Sequence, residues 1–229
     1  MKERDLFPSL VAEFFGPFAL VFLGVGAVIM TQGQNLITIA LAHGLAIGLM
    51  IMAAGHISGG HYNPAVTVSM LATGRIHITK AVLYIVAQLA GALVAAAILT
   101  RIYPDFGPFN RNSAGVNMGV PSVPTDFTTT MGLLMEIVLT FFLVFVIFGT
   151  AVDSRSTKVI AGISIGLTIA IDIMAGGAVS GAAMNPARWF GPALIQQDFS
   201  NWWIWIVGPV VGGLIAAFIW QLFLLRDQE

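Results

Sequence analysis

Six long apolar stretches, separated by short polar segments, set the pattern of the chain. The stretches cover residues 7–31, 36–56, 80–101, 128–152, 159–178 and 202–225. The hydrocarbon core of a bilayer needs about 20 mostly apolar residues in a helix, and every stretch reaches that length. None shows the apolar–polar alternation, in pieces of about ten residues, that marks a membrane β-barrel. The pattern therefore predicts an all-α integral membrane protein with six transmembrane helices.

The composition agrees with a membrane protein and excludes several other classes. Only 9% of the 229 residues are charged, whereas an ordinary soluble domain carries about 25%. A net charge of −1 gives no basic face for a nucleic acid. The chain has no cysteine and only four scattered histidines, so neither thiolate chemistry nor a metal site is indicated. We expect no cofactor and no enzymatic activity.

Lysine and arginine in the short loops predict the orientation, because cytoplasmic loops carry an excess of them. Six spans put both termini on one side. That side holds Lys2, Arg4, Arg75, Lys80, Arg155, Lys158 and Arg226, and the other holds Arg101 and Arg111. We therefore predict cytoplasmic termini. The first stretch is too long for a cleavable signal peptide and contains Glu13, which with the short tails favours a retained helix in a prokaryotic cytoplasmic membrane. Trp202, Trp203 and Trp205 predict an interfacial belt.

The two halves of the chain resemble each other at a nearly constant spacing. Residues 56–66 match 178–188, residues 91–96 match 212–217, and Glu13 matches Glu136, at offsets of 122, 121 and 123. Three spans in each half make the halves enter the membrane in opposite directions, which is the inverted repeat common in transporters and channels. We predict one structural domain with a first repeat at 1–102, a connecting outer loop at 103–127 and a second repeat at 128–229.

An Asn-Pro-Ala sequence stands at the centre of each repeat. The motifs are Asn63-Pro64-Ala65 and Asn185-Pro186-Ala187, and the apolar segments after them, 66–73 and 189–195, are too short to cross a bilayer. Asparagine is a strong helix N-cap and proline suits the first helical position. Each motif therefore predicts the start of a re-entrant half-helix, and such backbone at membrane depth is tolerated only inside protein or beside a watery cavity.

Two helix N-termini that meet inside a pore predict a barrier to cations, because each carries partial positive charge. Amide donors of Asn63 and Asn185 aimed into the lumen would orient a passing water and interrupt a proton wire. The segments before the motifs could offer backbone carbonyls to the permeant. These pore carbonyls are predicted at Gly59, Gly60, His61, Tyr62, Gly181, Ala182, Ala183 and Met184.

These motifs resemble the aquaporin (major intrinsic protein) family over essentially the whole chain. The resemblance is carried by Ser-Gly-Gly-His-Tyr-Asn-Pro-Ala-Val-Thr at 58–67, by the second Asn-Pro-Ala with Arg188, and by the pair Gly191-Pro192. It implies the aquaporin fold and a homotetramer in which every monomer has its own pore. It also implies that Arg188 belongs to a narrow aromatic/arginine filter near the outer mouth.

Counting from the motifs places four residues in the filter that the resemblance implies: His43, Ile173, Ala182 and Arg188. This set is similar to that of plant tonoplast intrinsic proteins. Strict water channels of the family carry a histidine where Ile173 stands, and glycerol facilitators carry two aromatic residues and an aspartate where Trp189 stands. An isoleucine in place of histidine should widen the filter and make one wall apolar, which favours ammonia, urea, glycerol or peroxide beside water.

Three carboxylates lie within the apolar stretches, where charge is costly and usually faces protein or water. Glu13 and Glu136 are repeat mates that could accept hydrogen bonds from the unwound loops, and the family resemblance implies this scaffolding role. Asp172 has no repeat mate and stands beside Ile173. Two interpretations of Asp172 are open: a hydrogen bond to a neighbouring helix or subunit, or a role in filter support or gating.

Together these features predict a passive membrane channel for water, with small neutral solutes as further candidates and with protons and ions excluded. One alternative is a glycerol or small-solute facilitator in which water is secondary. Another is a secondary transporter, which would need coupling carboxylates at the midplane, whereas none stands in the motifs. A non-conducting adhesion or scaffold protein would need a sizeable binding tail, and both tails have only a few residues.

Overall fold

A computed structural model describes residues 6–106 and 117–225, so four of the cations used to predict orientation lie outside the described residues: Lys2, Arg4, Arg111 and Arg226. Within the described ranges the chain forms eight helices, a short 3-10 turn at Pro104–Phe106 and no strand. We number them α1 Leu6–Met30, α2 Leu36–Ser58, α3 Pro64–Ala72, α4 Ile78–Ile102, α5 Thr129–Val152, α6 Lys158–Ser180, α7 Pro186–Gln196 and α8 Ile204–Leu224. All except α3 and α7 are long and apolar enough to cross a membrane, which confirms the six predicted spans.

The two helices that precede the motifs run two residues further than predicted, because a glycine ends each of them. Gly59 follows α2 with φ of 99°, and Gly181 follows α6 with φ of 77°. The left-handed backbone at such a position stops a helix, and glycine adopts it without a side-chain clash. The chain therefore leaves both spans abruptly, and an unwound loop of four residues (59–62 and 181–184) leads to each motif.

Both half-helices begin at the prolines of the motifs. Asn63 and Asn185 have extended backbone and cap the helices: Asn63 Oδ1 accepts from the backbone N–H of Ala65 at 2.8 Å, and Asn185 Oδ1 accepts from that of Ala187 at 3.0 Å. The helices have 9 and 11 residues. At about 1.5 Å per residue they are about half as long as a bilayer core is thick.

Helices α2 and α6 cross at the centre of the molecule with almost no side chain between them. A Cβ atom built on Gly166 would lie 2.6 Å from the carbonyl oxygen of Gly44, and one built on Gly48 would lie 2.9 Å from that of Gly162. The two pairs stand four residues apart on each helix, so the same face of each is bare of side chains. Small residues at this spacing let membrane helices approach closely.

Alanine at Gly166 is therefore expected to destabilise the protein by about 1–3 kcal/mol, as overpacking of a tight interior does. The obstacle is the backbone of Gly44, which cannot turn aside as a flexible side chain can. Gly26→Ala is the matched control, because a Cβ at Gly26 would meet only Leu99 at 3.9 Å. Thermal unfolding in detergent should show a lower Tm for Gly166→Ala and an unchanged or higher Tm for Gly26→Ala. Equal Tm values for both variants would contradict the close packing.

The first and last long helices of each half pack against each other in the same way. Gly91 of α4 lies against the backbone carbonyl of Phe14 in α1, and Gly212 of α8 lies against that of Ile137 in α5. These contacts are repeat mates, so the internal similarity extends from sequence to packing. The predicted tryptophan belt was wrong for Trp205, which is only 1% exposed, whereas Trp202 is 51% exposed.

Candidate functional site

The two asparagines of the motifs meet near the middle of the protein and bind the loop of the opposite repeat. Asn63 Nδ2 donates to the carbonyl oxygen of Met184 at 2.8 Å, and Asn185 Nδ2 donates to that of Tyr62 at 2.9 Å. A side-chain amide has two N–H donors. One donor of each asparagine therefore joins the two loops, and one remains for a permeant, whereas the sequence interpretation left both donors free.

The unwound loops have an unusual backbone at residues other than glycine. Tyr62, Ala182 and Met184 have φ values of 50°, 43° and 53°, in the left-handed region that side chains disfavour. Strained backbone of this kind persists where surrounding contacts hold it in place. The residues whose carbonyls were predicted to face the pore line three different cavities. Gly60, His61, Tyr62, Ala182, Ala183 and Met184 line the central cavity, whereas Gly59 and Gly181 line the cavities on either side of it.

The carboxylate of Glu13 lies under the first loop and accepts hydrogen bonds from it. Its oxygens accept from the backbone N–H groups of His61 and Tyr62 at 3.0 and 2.7 Å, and from Ser58 Oγ at 2.6 Å. A fourth bond comes from Gln88 Nε2 at 2.7 Å. The side chain is fully buried, and it satisfies N–H donors of the loop that have no partner in a helix.

Glu136 makes the equivalent contacts in the second repeat. It accepts from the backbone N–H groups of Ala183 and Met184 at 2.9 and 2.7 Å, and from Ser180 Oγ at 2.7 Å. It too is fully buried. The two carboxylates thus occupy repeat-related positions beneath the loops, and both are committed to hydrogen bonds with them.

Several residues that support the loops were missed at the sequence level. Tyr84 Oη donates to the carbonyl of Ser58 at 2.7 Å, and Trp205 Nε1 donates to that of Ser180 at 3.0 Å. Both pairs are repeat mates, so their recurrence at an offset of 121–122 was the signal available. Gln88 also donates to Thr67 Oγ1 at 3.0 Å, and its only signal was a lone amide in an apolar span.

The four predicted filter residues lie together. His43, Ile173, Ala182 and Arg188 all line the central cavity, and each is at most 5% exposed. Nη1 of Arg188 donates to the carbonyl of Gly119 at 2.7 Å, and Nη2 lies 3.5 Å from Nε2 of His43. A Cβ at Gly24 would overlap the imidazole of His43, so this glycine makes room for the ring.

The hydrogen bonds of the filter also determine which atoms face the cavity as donors. His43 Nδ1 lies 2.8 Å from the carbonyl oxygen of Ile39, so Nδ1 carries the hydrogen and Nε2 is left as an acceptor toward Arg188. No carboxylate of the described residues is hydrogen-bonded to Arg188. The four predicted residues therefore bring the charged guanidinium of Arg188 and the apolar side chain of Ile173 to one cavity.

Three cavities lie in sequence through the protein. The central pore cavity has a volume of about 30 Å³. The outer vestibule, of about 350 Å³, shares Ile173 and Arg188 with it. A third cavity lies on the side of the chain termini, and we call it the terminal vestibule. It has a volume of about 500 Å³ and shares six lining residues with the central pore cavity, Ile51 and His61 among them. A narrow waist therefore joins two wide mouths, and the wall opposite the loops is apolar. That wall includes Leu20, Ile47, Leu143, Ile147, Ile165 and Ile169.

The remaining histidines have different surroundings. His61 Nδ1 is 3.2 Å from Thr67 Oγ1, His77 caps the start of α4, and His56 is exposed. Within residues 6–106 and 117–225, no group of three or more His, Asp or Glu side chains is arranged to hold a metal ion.

Asp172 is buried between α6 and α5 and is 5% exposed. One turn further along α6, Gly176 packs against Met135 and Leu139, which places Asp172 at about the level of Thr140 in this antiparallel pair. Neither Asp172 Oδ2 nor Thr140 Oγ1 has a hydrogen-bond partner among the described residues. The hydrogen bond to a neighbouring helix that the sequence suggested is therefore not found for Oδ2.

We expect Asp172→Asn to leave osmotic water flux unchanged and to keep or raise Tm, because an unpaired buried carboxylate is costly and an amide is less so. Stopped-flow light scattering and thermal unfolding measure the two quantities. Asp126→Asn, at an exposed position, is the control and should change neither. A fall in water flux with an unchanged Tm would favour the filter-supporting or gating role instead.

The chain matches known proteins along almost its full length. A family model described as Major intrinsic protein matches residues 1–220. Aquaporin-4 from Mus musculus is 41% identical over 96% of this chain and 68% of the relative. Probable aquaporin TIP3-2 from Arabidopsis thaliana is 40% identical over 96% of this chain and 85% of the relative.

A further relative and a solved structure extend this comparison. Aquaporin NIP1-1 from Zea mays is 39% identical over 96% of this chain and 76% of the relative. The structure of the aquaglyceroporin from Plasmodium falciparum superposes with a TM-score of 0.84 at 24% identity, and covers 95% of this chain and 96% of that chain. At this identity the superposition establishes the shared fold.

Proposed function

The chain belongs to the major intrinsic protein family of passive membrane channels, and we propose that water is its main permeant while protons and ions are excluded. One observation carries this proposal: the reciprocal bonds from Asn63 to Met184 and from Asn185 to Tyr62 at the narrow waist. Each asparagine is held by its own helix through Oδ1 and by the opposite loop through one N–H. The remaining N–H can only donate, so a water at this point acts as an acceptor.

Proton exclusion follows from that geometry and from the fields of the half-helices. A water that accepts from both asparagines points its hydrogens away from the waist in both directions, so a continuous proton wire is interrupted. The N-termini of α3 and α7 add partial positive charge at the same point. Cations therefore meet an electrostatic barrier at the waist and another at Arg188, while a neutral water meets neither.

The filter supports a permeant range wider than water. Ile173 and Ala182 place no hydrogen-bonding side chain on their sides of the cavity, so the donors of these four side chains come from Arg188, while Nε2 of His43 is an acceptor. Ammonia, urea, glycerol and peroxide are the small neutral candidates. A glycerol or small-solute facilitator with water secondary is the second candidate, and the apolar side chain of Ile173 is the observation that favours it.

A secondary transporter is disfavoured by the environment of its candidate carboxylates. Glu13 accepts four hydrogen bonds and Glu136 accepts three, all from the loops and their supporting residues. Neither carboxylate lines the pore cavity. Both are committed to holding the loops, which leaves them poorly placed to bind a coupling ion during a transport cycle.

Flux measurements on reconstituted protein test the permeant range. The fluxes of water, glycerol, urea and ammonia into proteoliposomes are measured side by side, and water should be the fastest permeant. Comparable glycerol and water fluxes would favour the second candidate. Mercury should not inhibit through a thiol, because the chain has no cysteine. Unaltered swelling relative to empty liposomes would remove the channel proposal.

Ile173→His is expected to narrow the permeant range. The imidazole adds bulk and a hydrogen-bonding group to the apolar wall, so glycerol and urea fluxes should fall about tenfold or more while water flux is kept. A steric or polar penalty of about 1.4 kcal/mol is enough for that change. Ile171→His, at a position 64% exposed on the outside of α6, is the control. Unchanged glycerol flux in Ile173→His would place the selective step elsewhere.

Assembly and orientation are further parts of the proposal. We propose a homotetramer embedded in lipid. We also propose that both termini are cytoplasmic, and this orientation is supported by the distribution of cations: Arg75, Lys80, Arg155 and Lys158 on the side of the chain termini and Arg101 on the other. Residues 1–102 and 128–229 are proposed as the two inverted repeats around the connecting segment 103–127. Native mass spectrometry and protease protection of tagged termini test these points. The prokaryotic cytoplasmic membrane stays a prediction.

A further inference from the structure

The terminal vestibule has a surplus of positive charge that the conduction mechanism does not use. Its volume is about 500 Å³, and Arg75, His77 and Lys80 are among its lining residues. No aspartate or glutamate of the described part of the chain lines it. Such a concave, one-signed surface concentrates ions of the opposite sign.

Arg75 is fixed in place by neutral groups. Its Nη1 donates to the carbonyl of Thr73 at 2.9 Å and to Gln221 Oε1 at 2.7 Å, and its guanidinium lies 5.1 Å from the centre of the Phe148 ring. None of these contacts neutralises its charge. A guanidinium has five N–H donors, so a held Arg75 keeps donors for a further acceptor without losing much side-chain freedom on binding.

Lys80 is held in a similar way on another wall. Its Nζ lies 5.2 Å from the centre of the Tyr84 ring, and that ring is 5.3 Å from the imidazole of His61. No carboxylate of the described residues forms an ion pair with Lys80. Within the described ranges the ammonium thus has no ion-pair partner, and it stands near the point where the terminal vestibule narrows into the pore cavity at His61.

Another cation near the same face of the protein is treated differently. Arg155 forms an ion pair with Asp153 and also donates to the carbonyl of Leu224, and it does not line the vestibule. Among the described residues, Arg155 is therefore neutralised outside the vestibule, whereas Arg75 and Lys80 inside it have no carboxylate partner. A vestibule that only repelled cations would need the positive charges of Arg75 and Lys80. It would not need their side chains to be fixed in place with N–H donors left for an acceptor.

We propose that the terminal vestibule binds a phosphate-class dianion between Arg75 and Lys80, and that the bound anion reduces water entry from this side. Phosphate offers several acceptor oxygens and matches guanidinium and ammonium donors. The occlusion follows from position, because six residues of the vestibule, His61 among them, also line the pore cavity. The effect on flux rests on the proposed water channel, whereas the binding does not.

Binding is tested first, with inorganic phosphate and the full chain in nanodiscs of phosphatidylcholine. Calorimetry at constant ionic strength should show one phosphate per chain. Lys80→Gln and Arg75→Gln should each weaken it about tenfold, as the loss of one charged hydrogen bond does. Lys80→Arg should restore it, and Lys158→Gln, which is exposed and outside the vestibule, should not alter it. Absence of binding, or binding equal in wild type and Lys80→Gln, would overturn the proposal.

A second set of nanodiscs distinguishes the source of the anion. Discs that contain phosphatidic acid, whose headgroup is a phosphomonoester of about −1.5 to −2 charge, should bind phosphate as tightly as neutral discs if the site takes a soluble phosphate. If a lipid headgroup fills the same site, the phosphate affinity of the wild type should fall in those discs toward the Lys80→Gln value. If phosphate affinity falls by the same factor between neutral and anionic discs for Lys158→Gln and for Lys80→Gln, the fall is a general surface-charge effect, and that result would contradict the site.

Water flux gives the independent readout. Wild-type proteoliposomes in phosphate should swell more slowly than those in chloride of equal ionic strength and osmolarity, and Lys80→Gln should remove the difference. Swelling that is fast but insensitive to phosphate would defeat the occlusion alone. Swelling no faster than in empty liposomes would defeat the proposed channel, and the calorimetry would still decide whether the anion site exists.

Discussion

Glu136→Leu is expected to lower the free energy of unfolding by about 3 kcal/mol or more and to reduce the yield of monodisperse protein. Leucine leaves three buried donors without an acceptor: the N–H groups of Ala183 and Met184 and the hydroxyl of Ser180. Each unsatisfied buried donor costs about 1–3 kcal/mol. Thermal unfolding with size-exclusion chromatography in detergent measures the loss.

Glu136→Gln separates hydrogen bonding from charge and is the matched variant. Its amide oxygen can accept two of the three bonds, while its NH₂ group faces a donor, so an intermediate Tm is expected. Glu13→Leu should resemble Glu136→Leu, because Glu13 accepts two bonds from the N–H groups of the corresponding loop and two from the side chains of Ser58 and Gln88. A Tm of Glu136→Leu equal to that of wild type would show that the loop does not depend on the carboxylate.

Arg188→Val is expected to raise the flux of glycerol and of small cations such as methylammonium, while water flux is kept. The guanidinium lines the same cavity as Ile173, and no carboxylate of the described residues is hydrogen-bonded to it. A unit charge about 6 Å from a permeating cation costs about 3 kcal/mol at an effective dielectric constant of about 20. Its removal should therefore speed cation permeation about a hundredfold.

Vesicle swelling and cation uptake into the same proteoliposomes measure this change. Arg101→Val is the control, because Arg101 is exposed at the end of α4 and lines none of the three cavities. It should leave both fluxes at wild-type values. Cation uptake by Arg188→Val that equals wild type would move the main electrostatic barrier from the filter to the asparagines.

Local rules explain why so much of the fold could be predicted. Hydrophobic length alone predicts the spans, since a bilayer demands it. The asparagine cap and the proline after it act within a few residues, so the starts of α3 and α7 could be predicted from Asn63-Pro64 and Asn185-Pro186. The ends of α2 and α6 were less accurate by two residues, because the stopping signal was the glycine beyond them rather than the apolar pattern.

The site required information that local patterns do not contain. The bond from Asn63 to Met184 joins residues 121 positions apart, and it exists only because the two repeats bring their loops together. Trp205 appeared interfacial by type, yet it donates to Ser180 because packing of α8 buries its ring. Gly119, in the connecting segment, supplies the carbonyl for Arg188, and nothing in its local sequence indicates that partner.

Internal repetition was the one long-range signal that the sequence did contain. It predicted Glu13 and Glu136 as counterparts, and the same offset relates Tyr84 to Trp205 and Ser58 to Ser180 in the structure. Where the repeats diverge, that signal fails. Gln88 and Asp172 have no counterpart of the same chemistry. The contacts of Gln88, and the lack of a partner for Asp172 Oδ2 among the described residues, therefore emerged only from three-dimensional packing.

One measurement tests the central claim most directly: water and proton flux recorded together in proteoliposomes that contain a pH-sensitive dye. The geometry at Asn63 and Asn185 predicts osmotic swelling about tenfold or more faster than in empty liposomes, with proton flux equal to that of empty liposomes. Swelling at the rate of empty liposomes would contradict the channel. Proton flux that rises together with water flux would contradict the proposed interruption of the proton wire at the two asparagines.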